Sequence, residues 1–234
     1  KSLLINLGGG VLTDLGGFVA STYKRGIDFI NIPTTLLSMV DASVGGKTGV
    51  DLGSLKNQIG VINQPVMVLV ATGFLQTLDE RQMRSGFAEM LKHGLIQSKT
   101  YWEELKALPK LENLDGHIYK SVTIKNQVVI EDPTEQHLRK ILNFGHTLGH
   151  AVESYFLENP DKETLLHGEA IAVGMILEAY LSYALTNLSQ KELAAIKTTF
   201  LNTYPKVDFS ANDISAILSL LKFDKKNSHG NINF

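Results

Sequence analysis

The opening segment constrains the fold most. An apolar run at residues 3–7, Leu-Leu-Ile-Asn-Leu, leads directly into Gly8, Gly9 and Gly10. A helical pattern follows over roughly 11–24, with Val11, Leu15, Phe18 and Val19 on one stripe. A second apolar run, 28–32, ends at Pro33. Strand, glycine turn, helix and strand form the grammar of an α/β nucleotide-binding unit. Glycine lets backbone approach phosphate oxygens, and the start of a helix offers unpaired N–H groups. Thr13 stands where the dinucleotide fingerprint would place its third glycine. Spacing alone therefore serves phosphate binding and a plain tight turn equally.

Further along, residues 34–41 read as a short helix with Thr34 near its start, and 43–49 as a glycine-rich loop. Residues 66–70 form a continuous apolar run of the kind buried in parallel sheets. The character changes near residue 78. Helices are predicted at about 79–97, 101–107, 115–131, 140–157, 167–186, 189–203 and 211–222, with Pro109, Pro133, Pro160 and Pro205 in the breaks. The expected organisation is a Rossmann-like α/β part over 1–77, then an all-α part over 78–234, packed around a shared cleft. Residues 3–7 read as a buried strand with nothing before it, and 230–234 stop as a strand begins. The reading therefore expects longer flanking polypeptide, chiefly upstream.

Composition narrows the chemistry. The chain has 234 residues, 44% hydrophobic and 20% charged, with a formal charge of -2, so no overall basic field recruits nucleic acid. It has no cysteine, so any zinc must be held by His, Asp or Glu. No signal-peptide pattern and no run of about 20 apolar residues stand out. A cytoplasmic protein is expected.

Two motifs carry the chemistry. Gly45-Gly46-Lys47-Thr48 suggests a P-loop, but Asp41 occupies the position where that motif needs glycine. Lys47, Lys56 and Asn57 then read as anchors for a smaller anion or a cofactor. The second motif runs over 143–153 and sets His146 and His150 four residues apart on one helical face, among Gly145, Thr147, Gly149 and Ala151. Such small residues suit a metal site or a close helix interface. His167 opens the next helix and Glu89 lies on an earlier one, so histidine and carboxylate donors from three helices can make a catalytic zinc set with an open position. Lys92 follows Glu89 by three residues. Lys125, Arg139 and the pair Lys225 and Lys226 add cations, a pattern that suits an anionic substrate.

Taken in order, Gly-Gly-Gly-Val-x-x-Asp-Leu-x-Gly-Phe, Ile-Pro-Thr-Thr-Leu-Leu, Val-Asp-x-Ser-Val-Gly-Gly-Lys-Thr, Lys-Asn-x-Ile-Gly, Ala-Glu-x-x-Lys, Asn-x-Gly-His-Thr-x-Gly-His-Ala-x-Glu and Leu-His-Gly-Glu resemble the 3-dehydroquinate synthase family. That family belongs to the sugar phosphate cyclases, within the superfamily of glycerol and iron-containing alcohol dehydrogenases. The resemblance runs from about Gly8 to Asn227. It implies that Glu89, His146 and His167 bind Zn2+ or Co2+, while His150 contacts substrate. It implies that Gly10, Val11, Leu12, Thr13, Asp14, Thr34, Thr35, Lys47, Lys56, Phe74, Leu75, Gln76 and Thr77 contact NAD. It assigns Asp41, Asn57, Lys92, Lys125, Glu135, Arg139, Asn143 and one of Lys225 or Lys226 to the substrate pocket. Arg25 matches an arginine that enters the neighbouring subunit's pocket, which implies a homodimer. The segment between Glu153 and His167 is a few residues longer than the family pattern.

The implied reaction converts 3-deoxy-D-arabino-heptulosonate 7-phosphate into 3-dehydroquinate and phosphate, in the shikimate route to aromatic amino acids. It proceeds by NAD-dependent oxidation, phosphate elimination, reduction, ring opening and intramolecular aldol closure. The alternatives are another cyclase such as 2-deoxy-scyllo-inosose synthase, a metal-dependent polyol dehydrogenase, or a non-catalytic module derived from such an enzyme.

Overall fold

The computed structural model describes residues 2–52 and 55–221. The chain divides into two compact units, Lys1–Arg139 and Lys140–Phe234.

The first unit carries the strands. β1 (Leu3–Gly8) lies parallel to β2 (Asp28–Pro33), with Leu3 opposite Asp28 and Gly8 opposite Pro33. β5 (Met67–Val68) adds a third parallel strand beside β2. Helix α1 (Gly10–Thr22) makes the crossover from β1 to β2. It packs closely because of Gly16: a Cβ there would sit 1.8 Å from Asn6 Oδ1. Asn6 is buried and donates to Asn31 Oδ1 across the strands at 2.9 Å. A one-residue slip would strand both amides, so this pair pins the parallel register.

Three expectations for this part need correction. Residues 3–7 are a strand, but Leu3, Ile5 and Leu7 are exposed rather than buried, because α1 covers only the Asn6 face among the described residues. The 66–70 run contributes only two strand residues, and Val66, Met67 and Leu69 are exposed. The glycine loop ends early: β3 (Lys47–Leu52) starts at Lys47 and pairs antiparallel with β4 (Leu55–Ile62), a hairpin that the pattern reading missed. Gly49 and Gly60 face each other across it, which hides the usual alternation of strand residues. The helical turn after β2 runs over Ser38–Ala42. Just after Thr34, Thr35 and Ser38 exchange hydrogen bonds at its start (Ser38 N to Thr35 Oγ1 3.2 Å, Thr35 N to Ser38 Oγ 3.2 Å).

The helices of this unit follow the prediction closely. α2 (Glu80–Gln97) is capped by Asp79, which accepts from Arg81 N at 2.8 Å. Residues 85–94 are buried on every side, which makes α2 the central helix of the unit. α3 (Lys99–Lys106) is capped by Ser98, and α4 (Asp115–Glu131) packs on α2.

Among the described residues the second unit is helical: α5 (His146–Glu158), α6 (His167–Leu185), α7 (Gln190–Thr203) and α8 (Ala211–Leu220). The predicted helix over 140–157 is interrupted. A 3-10 segment, Leu138–Asn143, stops before Gly145, whose φ of +80 suits glycine and separates Asn143 from α5. Val152 and Phe156 of α5, Ala170 of α6, and Ile217 and Leu221 form its apolar core. The long segment between α5 and α6 is tied down: Lys162 Nζ reaches Asp213 Oδ2 at 2.7 Å, and Tyr155 Oη donates to Asp213 Oδ1 at 2.6 Å. α6 has the length and apolar content of a membrane span, with half of that stretch buried. It carries buried Glu169 and Glu178 and packs against α5 and α7, as a core helix does.

Candidate functional site

In the first unit, α2, α4 and the turn after β2 bring together an unusual density of buried charge. Glu89 and Lys92, one turn apart on α2, are an ion pair with side chains 0% and 1% exposed. Lys125 of α4 donates from Nζ to Asp41 Oδ1 at 2.6 Å and to the Asp41 carbonyl at 2.5 Å. Burial alone would push the Asp41 carboxyl up. The Lys125 ammonium outweighs it and holds Asp41 below the usual carboxylate range. Burial pushes Lys125 down, with Asp41 opposing it. His93, next to Lys92, is buried, with Nδ1 2.6 Å from Ser121 Oγ. Burial, and then the Lys92 charge, lower its pKa to about 3, so it is a neutral imidazole. Ligand atoms of Asp41, Glu89 and His93 lie within 4.8 Å of one another.

The glycine turn joins this cluster through Asp14. Burial raises its carboxyl to about 7, and the charge of Asp41 adds to the effect. The first turn of α1 otherwise presents Val11 and Leu12 outward, while Thr13 is buried and donates to the Gly10 carbonyl at 2.9 Å. Thr34 donates its N–H to the Gly8 carbonyl at 3.0 Å, next to Thr35. Phe74, Leu75, Gln76 and Thr77 lie in a 3-10 turn, Thr72–Thr77.

Several predicted residues have protein partners. Lys47 pairs with Glu135, so a residue assigned to NAD meets one assigned to substrate. Arg139 is 2% exposed and donates to the carbonyls of Pro133 at 2.7 Å and Gly45 at 2.9 Å. Asn57 and Glu135 both adopt positive φ, 51° and 60°, and the Asn57 N–H donates to Asp51 Oδ1 at 2.7 Å. Arg25 is exposed and also has positive φ, 68°; it borders a surface recess of about 420 Å³ with Asp28 and Asn63. Lys56 lies in β4, and its side chain is outside what the structure describes. Lys225 and Lys226 lie outside the described residues.

In the second unit, three imidazoles converge. Ring centroids are 5.1 Å apart for His146 and His150, 5.5 Å for His146 and His167, and 5.8 Å for His150 and His167. His146 Nδ1 lies 3.2 Å from the Phe144 carbonyl, and His167 Nδ1 lies 3.4 Å from Glu153 Oε2. His146 and His150 occupy one face of α5, as their spacing predicts, and His167 is the first residue of α6.

What holds α5 against α6 escaped the sequence reading. Gly174 of α6 meets Gly145 so closely that a Cβ on Gly174 would lie 1.9 Å from the Gly145 carbonyl oxygen. One turn later, buried Glu178 accepts from Gly145 N at 2.6 Å and Leu148 N at 3.2 Å. α5 has no side-chain cap of its own, and Glu178 supplies one from the neighbouring helix. A glutamate in the apolar stretch 167–185 was the available signal, since an unpaired carboxylate does not survive in such a helix.

The comparisons agree over both parts of the chain. Residues 1–85 match the 3-dehydroquinate synthase N-terminal family, and residues 86–227 match the 3-dehydroquinate synthase C-terminal family. A 3-dehydroquinate synthase of Parabacteroides distasonis is 44% identical over 239 residues, covering 100% of this chain and 67% of the relative. A solved structure of 2-deoxy-scyllo-inosose synthase, complexed with carbaglucose-6-phosphate, NAD+ and Co2+, superposes with a TM-score of 0.81 at 29% identity. That match covers 94% of this chain and 62% of the other. A 2-epi-5-epi-valiolone synthase from Streptomyces hygroscopicus, with NAD+ and Zn2+ bound, gives a TM-score of 0.67 at 28% identity, covering 94% and 73%. The chain spans about two thirds of the length of the curated relatives it matches. Matched along nearly its whole length, and this similar to its relatives, the chain belongs to the 3-dehydroquinate synthase family.

Proposed function

We propose that this protein converts 3-deoxy-D-arabino-heptulosonate 7-phosphate into 3-dehydroquinate and phosphate. The 42–44% identity to 3-dehydroquinate synthases, against 29% to the structurally similar inosose synthase, carries the choice of reaction. Residues 1–77 are proposed as the NAD-binding part and 78–234 as the metal- and substrate-binding part of a cytoplasmic homodimer, with Arg25 serving the neighbouring pocket.

Glu89, His146 and His167 are proposed as ligands of a zinc or cobalt ion. The residues fit such an ion. His146 and His167 each have Nδ1 beside an oxygen, which leaves Nε2 as the ligand atom, and there is no cysteine to favour a thiolate site. When bound, the metal supplies Lewis acidity to a substrate hydroxyl, and NAD accepts and later returns a hydride.

The chain's own contribution is orientation. Lys125 is anchored twice on Asp41, so its ammonium has a fixed direction. Lys92 is buried beside Glu89. Fixed ammonium groups bind phosphate and carboxylate with strong charge-assisted contacts and restrict a flexible acid phosphate to one conformation. His150, exposed on the same helical face as His146, is proposed as a proton-carrying contact to substrate, with Asn143 and Arg139 completing the pocket.

Supplying either the heptulosonate phosphate or glucose 6-phosphate with NAD and Co2+ tests the reading. Phosphate release from the heptulosonate alone supports it. Release from glucose 6-phosphate alone would transfer the protein to the inosose synthases.

A further inference from the structure

We propose that Glu153 is a positioning residue for His167, fixing its tautomer so that Nε2 faces the metal. This rests on the reading of His146 and His167 as metal ligands. Glu153 follows His146 by seven residues, two turns along α5, so it continues the stripe begun by His146 and His150. The side chain is 8% exposed, and Oε2 lies 3.4 Å from His167 Nδ1.

Two other carboxylates serve the nearby helix starts. The start of α6 has its own cap: Glu169 Oε2 accepts from Leu166 N at 2.8 Å. The start of α5 is capped by Glu178. Glu153 Oε2 faces the His167 ring. A neutral imidazole has one N–H, and a carboxylate can only accept. Glu153 thus holds the proton on Nδ1 and leaves the Nε2 lone pair for a cation.

His146 has the same arrangement with a different acceptor, since its Nδ1 faces the uncharged Phe144 carbonyl at 3.2 Å. Both rings then present Nε2. The charged acceptor beside His167 makes that ring the stronger donor of the two.

The two antiparallel helices thereby exchange carboxylates. Glu178 on α6 fixes the backbone at His146, and Glu153 on α5 fixes the ring of His167.

Two measurements on the complete protein test this. The first is the ¹⁵N spectrum of the His167 ring in the metal-free protein, about two pH units above an ordinary imidazole pKa. An Nδ1–H tautomer is expected, and an Nε2–H tautomer would overturn the proposal. The second is Co2+ titration of the wild type, Glu153→Gln and His146→Ala. Glu153→Gln should bind Co2+ about 10–100-fold more weakly, with one equivalent throughout. Unchanged affinity would overturn the proposal. So would two equivalents in the wild type falling to one in Glu153→Gln, since ligand atoms of His150, Glu153 and His167 also lie within 4.8 Å and Glu153 would then be a ligand itself. If His146→Ala keeps full affinity, the ligand set fails instead, while the tautomer still reports on Glu153.

Discussion

Glu178 should carry more of the second unit's stability than a buried carboxylate usually does. Replacing it with alanine leaves the Gly145 and Leu148 N–H groups without the carboxylate oxygens they donate to at 2.6 and 3.2 Å. Each orphaned buried donor costs about 1–3 kcal/mol. The loss of a negative charge at the start of α5 adds about 0.3–1 kcal/mol. Relief from burying the carboxylate offsets part of this, so a net loss on the order of 2–3 kcal/mol is expected. For a chain of this size that corresponds to a fall in Tm of roughly 4–12 °C. Urea unfolding followed by circular dichroism measures it, with three variants compared. Glu178→Gln keeps one acceptor oxygen and should lose about half as much as alanine. Glu178→Leu restores apolar volume but no acceptor, so it should resemble alanine. A leucine variant as stable as the wild type would refute the capping argument, because packing alone would then account for the site.

Other expectations follow the same logic. Gly174→Ala drives a methyl to within 1.9 Å of the Gly145 carbonyl and should cost at least about 1–3 kcal/mol in thermal or urea unfolding, with weaker Co2+ binding as α5 and α6 separate. Lys125→Met leaves partly buried Asp41 without its ammonium; unfolding should show a loss of about 1.5–3 kcal/mol, and the Asp41 carboxyl should rise in a carbon-detected titration. His93 binds its proton less readily when folded, at about 3 against an ordinary 6.5, so its contribution is complete above pH 6.5 and disappears as pH falls toward 3. A His93→Gln variant should therefore lose less stability than the wild type across that interval, whatever its stability at neutral pH.

Much of this was legible in the chain because the signals were local. Helix α4 could be read to the residue, and α6 and α7 to within one, from apolar period and proline breaks. The spacing of His146 and His150 gave their shared face, since four residues on a helix have only one geometry. The failures were non-local. The β3–β4 hairpin depends on pairing between segments that carry glycines where side chains would show alternation. The burial expected of residues 3–7 depends on what covers the second face of the sheet, which no period within the strand encodes. The break before α5 turns on the positive φ of Gly145, and that conformation is enforced from α6 by Glu178 and Gly174. Glu153 was visible as part of a motif, yet its partner lies fourteen residues away on the next helix.

The proposed cyclase reaction uses NAD as a catalyst. Phosphate release and NADH absorbance should be followed together, with heptulosonate phosphate in large excess over NAD. Many phosphates released per NAD and no net NADH are expected. One NADH accumulating for each substrate consumed would contradict it and make the protein a dehydrogenase.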